Sequence, residues 1–491
     1  MPGGSILAID QGTTNTKVLL FGADGSVIAR SSRGVAIEHP RPGWAEQSAA
    51  ALWRSVCEAI DDLLSSQDRA TIDAIAISNQ RETIVVWDAA TGEPIAPAVT
   101  WQCRRSSERC AALRAAGHAA AIAELSGLAL DPLFPAAKLA WLLDTIEGAR
   151  ALAAAGRLRA GTIDSWLIWK LTGGVHATDF SNASRTQVFD LSRLAWSEEL
   201  AAIFDVPLGL LPEVRSSDSL FGRTVAGLCQ LPGGIPVHAA IGDSHAALRA
   251  HGAAATGQAK VTCGTGSSVM IATPARVASG HGLSTTVAWA ADGAVRFALE
   301  GNIAVSGHAA GFATRLLGLD GEKELTALAQ TVPTSDGVVF LPALAGIGAP
   351  HWQDRARGLV SGLSLGTTPA HVARATFEGI ALQIGDVVQA VEADLAAPLS
   401  ALAVDGGAAA NDFLVQMLAD LIDRPVVRPD LIDASALGAA CLAAAAIGFD
   451  EFERARSASR PERFEPAMDA ATRGQIREQW ALAIERARLG A

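Results

Sequence analysis

One carboxylate, a glycine, three threonines and a lysine fall together in Asp10-Gln-Gly-Thr-Thr-Asn-Thr-Lys17, between the apolar runs Ile6–Ile9 and Val18–Phe21. The pattern predicts a strand–turn–strand. Gly12 lets a ligand approach the backbone, and the hydroxyls of Thr13 and Thr14 and the turn amides supply donors. Lys17 adds positive charge, whereas Asp10 suits a cation such as Mg²⁺. Donors beside a metal-binding carboxylate are what a nucleotide polyphosphate requires. The spacing matches neither the Walker loop nor the dinucleotide fingerprint, which excludes both of those modes. Two distant segments repeat the theme. Lys260-Val-Thr-Cys-Gly-Thr-Gly-Ser-Ser-Val-Met-Ile271 is again apolar run, polar glycine turn, apolar run, and Leu402–Phe413 breaks from a strand into the pair Gly406-Gly407 before a helix. The first two turns, roughly 250 residues apart, look like an internal duplication. This predicts two related α/β domains, 1–247 and 248–491, facing each other across a nucleotide cleft.

A second group of residues suits a polyhydroxylated substrate. Arg81 and Glu82 are adjacent charges in Ser78-Asn-Gln-Arg-Glu-Thr83, just past an apolar strand. Together they offer a fork of donors and a pair of acceptors, which vicinal hydroxyls can use. Local sequence is equally consistent with a surface ion pair. Trp101 can lay its face along the C–H bonds of a polyol or serve as one of 11 core tryptophans. Asp243 follows the apolar strand Val237–Ile241 and a glycine, a placement that presents a carboxylate at the open edge of a parallel sheet. It can equally be the N-cap of the helix expected over Ala246–His251.

The elements that must carry these residues are legible as periodicities. Leu52, Val56, Ile60, Leu63 and Leu64 recur at steps of three and four and predict an amphipathic helix over 49–66. Strands are expected at Ile72–Ile77 and Ile84–Trp87, and mostly helical segments at 107–155 and 162–171. The second half is expected to run strands at 259–272, 284–290 and 295–299, then helices at 308–318, 322–330, 369–394, 411–422 and 435–447.

Bulk properties narrow the function classes. The 491 residues are 49% hydrophobic and 18% charged, the composition of a globular enzyme rather than a fibrous or disordered chain. The net charge of −12 argues against nucleic acid or an anionic membrane as partner. The uncharged stretch Ala434–Phe449 is shorter than the ~20 residues needed to span a bilayer. No secretory signal is recognisable at Met1-Pro-Gly-Gly-Ser5, and the six cysteines show no C-x-x-C spacing. A cytoplasmic protein without a zinc site is expected.

The chain resembles the FGGY carbohydrate kinases, and among them the glycerol kinases, over essentially its whole length. The resemblance is carried in order by Asp10-Gln-Gly-Thr-Thr14, Pro42-Gly-Trp-Ala-Glu46, Ser78–Thr83, Trp101-Gln-Cys-Arg-Arg105, Thr178-Asp-Phe-Ser-Asn-Ala-Ser-Arg185, Leu211-Pro-Glu-Val-Arg215, Gly348-Ala-Pro-His-Trp352 and Val404-Asp-Gly-Gly407. One family motif runs through Phe134, Lys138 and Trp141, and the other through Gly358–Leu363 and His371–Gly379. The resemblance implies an actin-like ATPase fold of two RNase H-like domains with ATP between them. It further implies ATP and Mg²⁺ as cofactors, a small-molecule polyol as substrate and a homo-oligomer, dimer or tetramer. Carried over by motif, Asp243 is the general base and Asp10 helps hold Mg²⁺. Thr13, Thr14, Lys17, Gly264, Thr265, Gly266 and Gly307 surround the phosphates. Gly407 and Asn411 border the adenosine. Arg81, Glu82 and Trp101 are the polyol contacts.

Three positions depart from glycerol kinases. Leu133 stands where they carry a tyrosine, Ser244 where they carry a glutamine, and Ser268 where they carry a phenylalanine. The expected reaction is phosphorylation of a terminal hydroxyl of a small polyol, in a pocket enlarged for four or five carbons. Two other readings stand beside it: a ketose kinase resembling xylulokinase, against which Asn79-Gln-Arg-Glu82 counts, and a non-catalytic ATP-binding sensor, against which Asp10 and Asp243 count.

Overall fold

Strand Ser5–Gln11 alternates Ile6 and Ala8 with Leu7 and Ile9, and all four are buried. A strand apolar on both faces must lie inside a sheet covered twice. The computed structural model, which describes residues 4–65, 71–252, 257–353, 355–429, 433–452 and 461–489, places it there. Six strands run in the order Gly222–Arg223, Pro236–Gly242, Ile72–Asn79, Ser5–Gln11, Asn15–Gly22, Val27–Gly34. The last three form an antiparallel meander, and Ser5–Gln11, Ile72–Asn79 and Pro236–Gly242 pair in parallel. Helices Ala49–Ser65 and Ile163–Thr172 cover the face bearing Leu7, Ile9, Val18 and Leu20.

The second sheet repeats this connectivity. Its seven strands run Ser284–Ala291, Ala294–Ile303, Ser267–Thr273, Gln258–Cys263, Ala401–Asp405, Val426–Arg428, Glu462–Phe464. Again an antiparallel hairpin comes first, and its opening strand pairs in parallel with the next strand across. The duplication expected from the two glycine turns is therefore present in the topology, with Ser284–Ala291 added at one edge. Helices Gly307–Leu316, Pro369–Leu395 and Asp412–Ile422 cover the outer face. That edge strand is stitched to the first half: Thr285 N donates to Gly127 O at 2.9 Å and Ser217 N to Ala290 O at 2.7 Å.

Between the sheets lie two helices that have changed sides. Asp243–Ala250 leaves the first sheet and rests against Gln258–Cys263 and Ser267–Thr273 of the second. Ala434–Ile447 comes from the second half and lies on Ser5–Gln11, Ile72–Asn79 and Pro236–Gly242 of the first. Small residues make this possible. A Cβ on Gly438 would lie 1.8 Å from Ala246 O, and a backbone atom cannot rotate away. Gly438→Val is expected to destabilise the fold by at least the ~1–3 kcal/mol of an overpacked core. A urea midpoint equal to that of the parent protein would contradict this packing. Among the described residues no helix is long and apolar enough to cross a membrane.

Candidate active site

Strand register brings the site together. Gln11 lies opposite Asn79 and Asn79 opposite Gly242, so three strands end level. The Gly12–Thr14 turn, the Gln80–Glu82 segment and Asp243 therefore leave the first sheet at one edge, the usual ligand edge of a parallel sheet. In the second sheet Thr262 faces Asp405 and Ser267 faces Ile303. Gly264–Gly266, Gly406-Gly407 and Ser306-Gly307 share the corresponding edge.

Both glycine turns are braced from behind. Gly12 N donates to Asn15 O at 2.9 Å, closing the first turn. Gln80 Nε2 donates to Gln11 Oε1 at 3.1 Å and Gln47 Oε1 at 3.0 Å, and Gln47 Nε2 donates to Thr13 O at 2.8 Å. Trp101 Nε1 donates to Thr13 Oγ1 at 3.0 Å, which ties the tryptophan to the first glycine turn. Thr14 is exposed. Lys17, expected beside the phosphates, pairs across the halves with Asp433 at 2.6 Å. In the second turn Gly307 N donates to Gly264 O at 3.0 Å and Ser306 N to Thr265 O at 3.1 Å. A Cβ on Gly307 would lie 2.4 Å from Gly264 O, and one on Gly266 2.4 Å from Ile303 O. A Cβ on Gly407 would meet nothing, so its backbone faces open space. The side chain of Asn411 is fully engaged: Oδ1 caps helix Asp412–Ile422 and Nδ2 donates to Thr326 Oγ1 at 2.9 Å.

The residues expected to meet the substrate form a buried charge cluster. Glu300, fully enclosed, receives both guanidinium nitrogens of Arg81 at 2.9 and 2.8 Å and lies 2.7 Å from Nη1 of Arg185. Arg185 Nε donates to Glu82 Oε1 at 2.6 Å, and Arg81 Nε lies 3.3 Å from Asp243 Oδ1. Arg81 and Glu82 thus form no surface pair; each is held by a charge from elsewhere. Ser268 Oγ donates to Glu300 Oε1 at 2.7 Å, which leaves only its lone pairs for a ligand. Ser244 Oγ makes no hydrogen bond among the described residues. Leu133 joins the site through its carbonyl, which accepts from Lys138 Nζ at 2.6 Å. Burial pushes Glu300 upward, yet Arg185 and Arg81 hold its carboxyl well below the usual carboxylate range.

Asp243 departs from its expected place by one detail. Helix Asp243–Ala250 begins three residues earlier than its alanine-rich part suggested, with Gly242 as the N-cap, extended at φ −63° and ψ 144°. Asp243 opens the first turn, its Oδ1 accepting from Ser244 N at 2.6 Å. Burial lifts its carboxyl above the ordinary carboxylate value, while Arg81 pulls it down. Such a carboxyl is suited to accept a proton from a substrate hydroxyl. Asp10 accepts from Ser78 Oγ at 2.9 Å, and burial followed by repulsion from Asp243 raises it to about 6. Asp10, buried and repelled by the half-buried Asp243, is suited to help hold a divalent cation. Among the described residues no cluster of three or more His, Cys, Asp or Glu could hold a metal unaided, so such an ion would draw its other ligands from phosphate and water.

Three contributors lay outside the sequence reading of the site. Glu300 sits inside strand Ala294–Ile303, and its partners are remote in the chain. Arg185 closes the quoted Thr178–Arg185 motif, which gave it a motif but no role. His245, two residues past Asp243, is fully buried, and neither ring nitrogen has a hydrogen-bond partner.

Comparison with known proteins bears on the fold and on the family. Residues 5–249 match the N-terminal domain, and residues 259–447 the C-terminal domain, of the family described as FGGY carbohydrate kinases. An apulose kinase of Pectobacterium atrosepticum is 45% identical over 489 residues, covering 99% of this chain and 98% of that protein. A glycerol kinase of Symbiobacterium thermophilum is 44% identical, covering 99% of both. The structure of Plasmodium falciparum glycerol kinase with ADP superposes with a TM-score of 0.92 at 29% identity, covering 99% of this chain and 98% of that one. A xylulose kinase from Lactobacillus acidophilus shares the fold with a TM-score of 0.87 at 23% identity, covering 98% and 97%. The architecture is the actin-like ATPase fold.

Proposed function

Because the chain belongs to the FGGY family of carbohydrate kinases, we propose that it transfers the γ-phosphoryl group of ATP, with Mg²⁺, to a terminal hydroxyl of a small polyol. The observation that carries this reading is Asp243: a carboxylate at the strand edge between two braced glycine turns, kept beside Arg81 and facing Asp10. Asp243 takes the proton of the attacking hydroxyl. Thr13, Thr14, Gly264, Thr265, Gly266 and Gly307 line the phosphates, and Asp10 would help hold the cation that offsets phosphate charge. Gly407 offers open backbone to the adenosine, and Asn411 shapes that wall as a helix cap. Lys17 acts on the phosphates only after leaving Asp433. Phosphoryl transfer asks mainly for such positioning and charge stabilisation.

Leu133, Ser244 and Ser268 replace a ring, a long amide and a second ring, so the pocket is wider than one built for glycerol. With Ser268 donating to Glu300, Ser244 supplies the free hydroxyl. We expect kcat/KM for a four- or five-carbon polyol to exceed that for glycerol by about tenfold, because unfilled space and unmatched polar groups cost ~1–3 kcal/mol per contact. The 45% identity to an apulose kinase favours a second reading, in which the substrate is a ketose. Coupled ADP-release assays on glycerol, erythritol, threitol, pentitols, xylulose and apulose test both. Glycerol outperforming all of the others would overturn the enlarged pocket, and ATP turnover with none of them would overturn the kinase reading.

A further inference from the structure

Glu82 has φ +61°, in the left-handed region that a residue bearing a side chain adopts only at a cost. A buried non-glycine residue stays there only where its surroundings hold it. Its carboxylate is held by Arg185 and its backbone by Lys138, whose Nζ donates to Glu82 O at 3.1 Å. The same ammonium donates to Leu133 O at 2.6 Å. Leu133 lies in a short turn of its own, with its N–H donating to Asp131 Oδ1 at 2.8 Å. Lys138 itself projects from helix Pro135–Thr145 and is fully enclosed. Burial pushes its amine down to about 7, against the pull of Glu82. A fully buried amine is costly, and an apolar side chain would fill the same space without that cost. What an apolar side chain lacks is a single donor atom that reaches two backbone carbonyls on different segments.

We propose that Lys138 is the positioning residue of the carbohydrate pocket, tying the left-handed backbone of Glu82 to the turn bearing Leu133 through one amine. The proposal rests on the kinase reading above. It makes Lys138 responsible for the distance between a polar contact and a wall of the pocket, and gives it no part in nucleotide binding. One consequence is that position 133 is coupled to Glu82: a change of side chain at Leu133 alters selectivity only while its backbone is anchored.

The test compares Lys138→Met with the parent enzyme, measuring KM for the best carbohydrate, KM for ATP, kcat and ADP affinity by calorimetry. The expected result is a rise in carbohydrate KM of roughly ten- to hundredfold, the effect of displacing a contact by about an ångström. KM for ATP and ADP affinity should stay within twofold. Leu133→Ala should shift the polyol preference in the parent enzyme and lose that effect in the Lys138→Met background. Equal changes in both KM values, an unchanged carbohydrate KM, or additive effects of the two substitutions would overturn the proposal. If Lys138→Met does not fold, Lys138→Gln gives the same readout, since its amide is too short to span both carbonyls. A parent enzyme without turnover on any carbohydrate would instead overturn the kinase reading, which keeps the two failures apart.

Discussion

Asp243→Asn is expected to lower kcat by about 10²–10⁴-fold, the usual worth of a positioned general base, while ADP still binds. Asparagine has the same shape, and its oxygen can still accept from Ser244 N, which now bonds to Oδ1 at 2.6 Å. Arg81 keeps its paired bonds to Glu300. What disappears is a carboxylate able to take the hydroxyl proton as the new bond to phosphorus forms. The change also removes a negative charge facing Asp10, so the Asp10 carboxyl should drop from its raised value of about 6. Steady-state kinetics with calorimetric ADP binding separates the two effects. A variant with near-parental kcat would reduce Asp243 to a structural role at the helix start.

Glu300→Ala should weaken the fold by about 3–5 kcal/mol, the cost of leaving buried charges without their partner. Two arginines converge on this carboxylate, and both are nearly or fully enclosed. Arg185 would retain Glu82, and Arg81 would retain only its 3.3 Å approach to Asp243. Because Glu300 belongs to the second half and the arginines to the first, the loss falls on the contact between halves. The shift in the first urea transition measures it. A change below ~1 kcal/mol would mean that solvent reaches the cluster and screens it. Activity should fall as well, since an Arg81 freed from Glu300 turns to Asp243 and lowers its basicity.

How far the sequence disclosed this site depends on whether each residue's neighbours are local. The Asp10 turn, the Gly264–Gly266 turn and Asp243 announce themselves because a strand and its turn are contiguous in the chain. Their shared edge follows from parallel pairing. The paired topology of the sheets was legible from the two glycine turns. Glu300 was not, because a carboxylate inside a strand carries no mark of guanidinium groups 115 and 219 residues away. The Lys17 pair with Asp433 is likewise invisible locally, because its partner lies 416 residues on. The helix of Asp243 started early because Gly242 at the strand end takes the cap, a choice set by the sheet rather than by helix periodicity. The helix expected over 435–447 is present as Ala434–Ile447, yet nothing in its alanines says which half it covers.

The exchange of that helix bears on how the chain is made. On the ribosome the first sheet is complete once Gly242 has emerged, but the helix that covers Ile6, Ala8, Ala74, Ala76 and Ala239 begins only at Ala434. At about 5–20 residues per second, roughly 190 further residues take about 10–40 s. Throughout that interval the nascent sheet lacks the helix that covers this apolar face, a state prone to aggregation. A first half translated alone would never receive its cover.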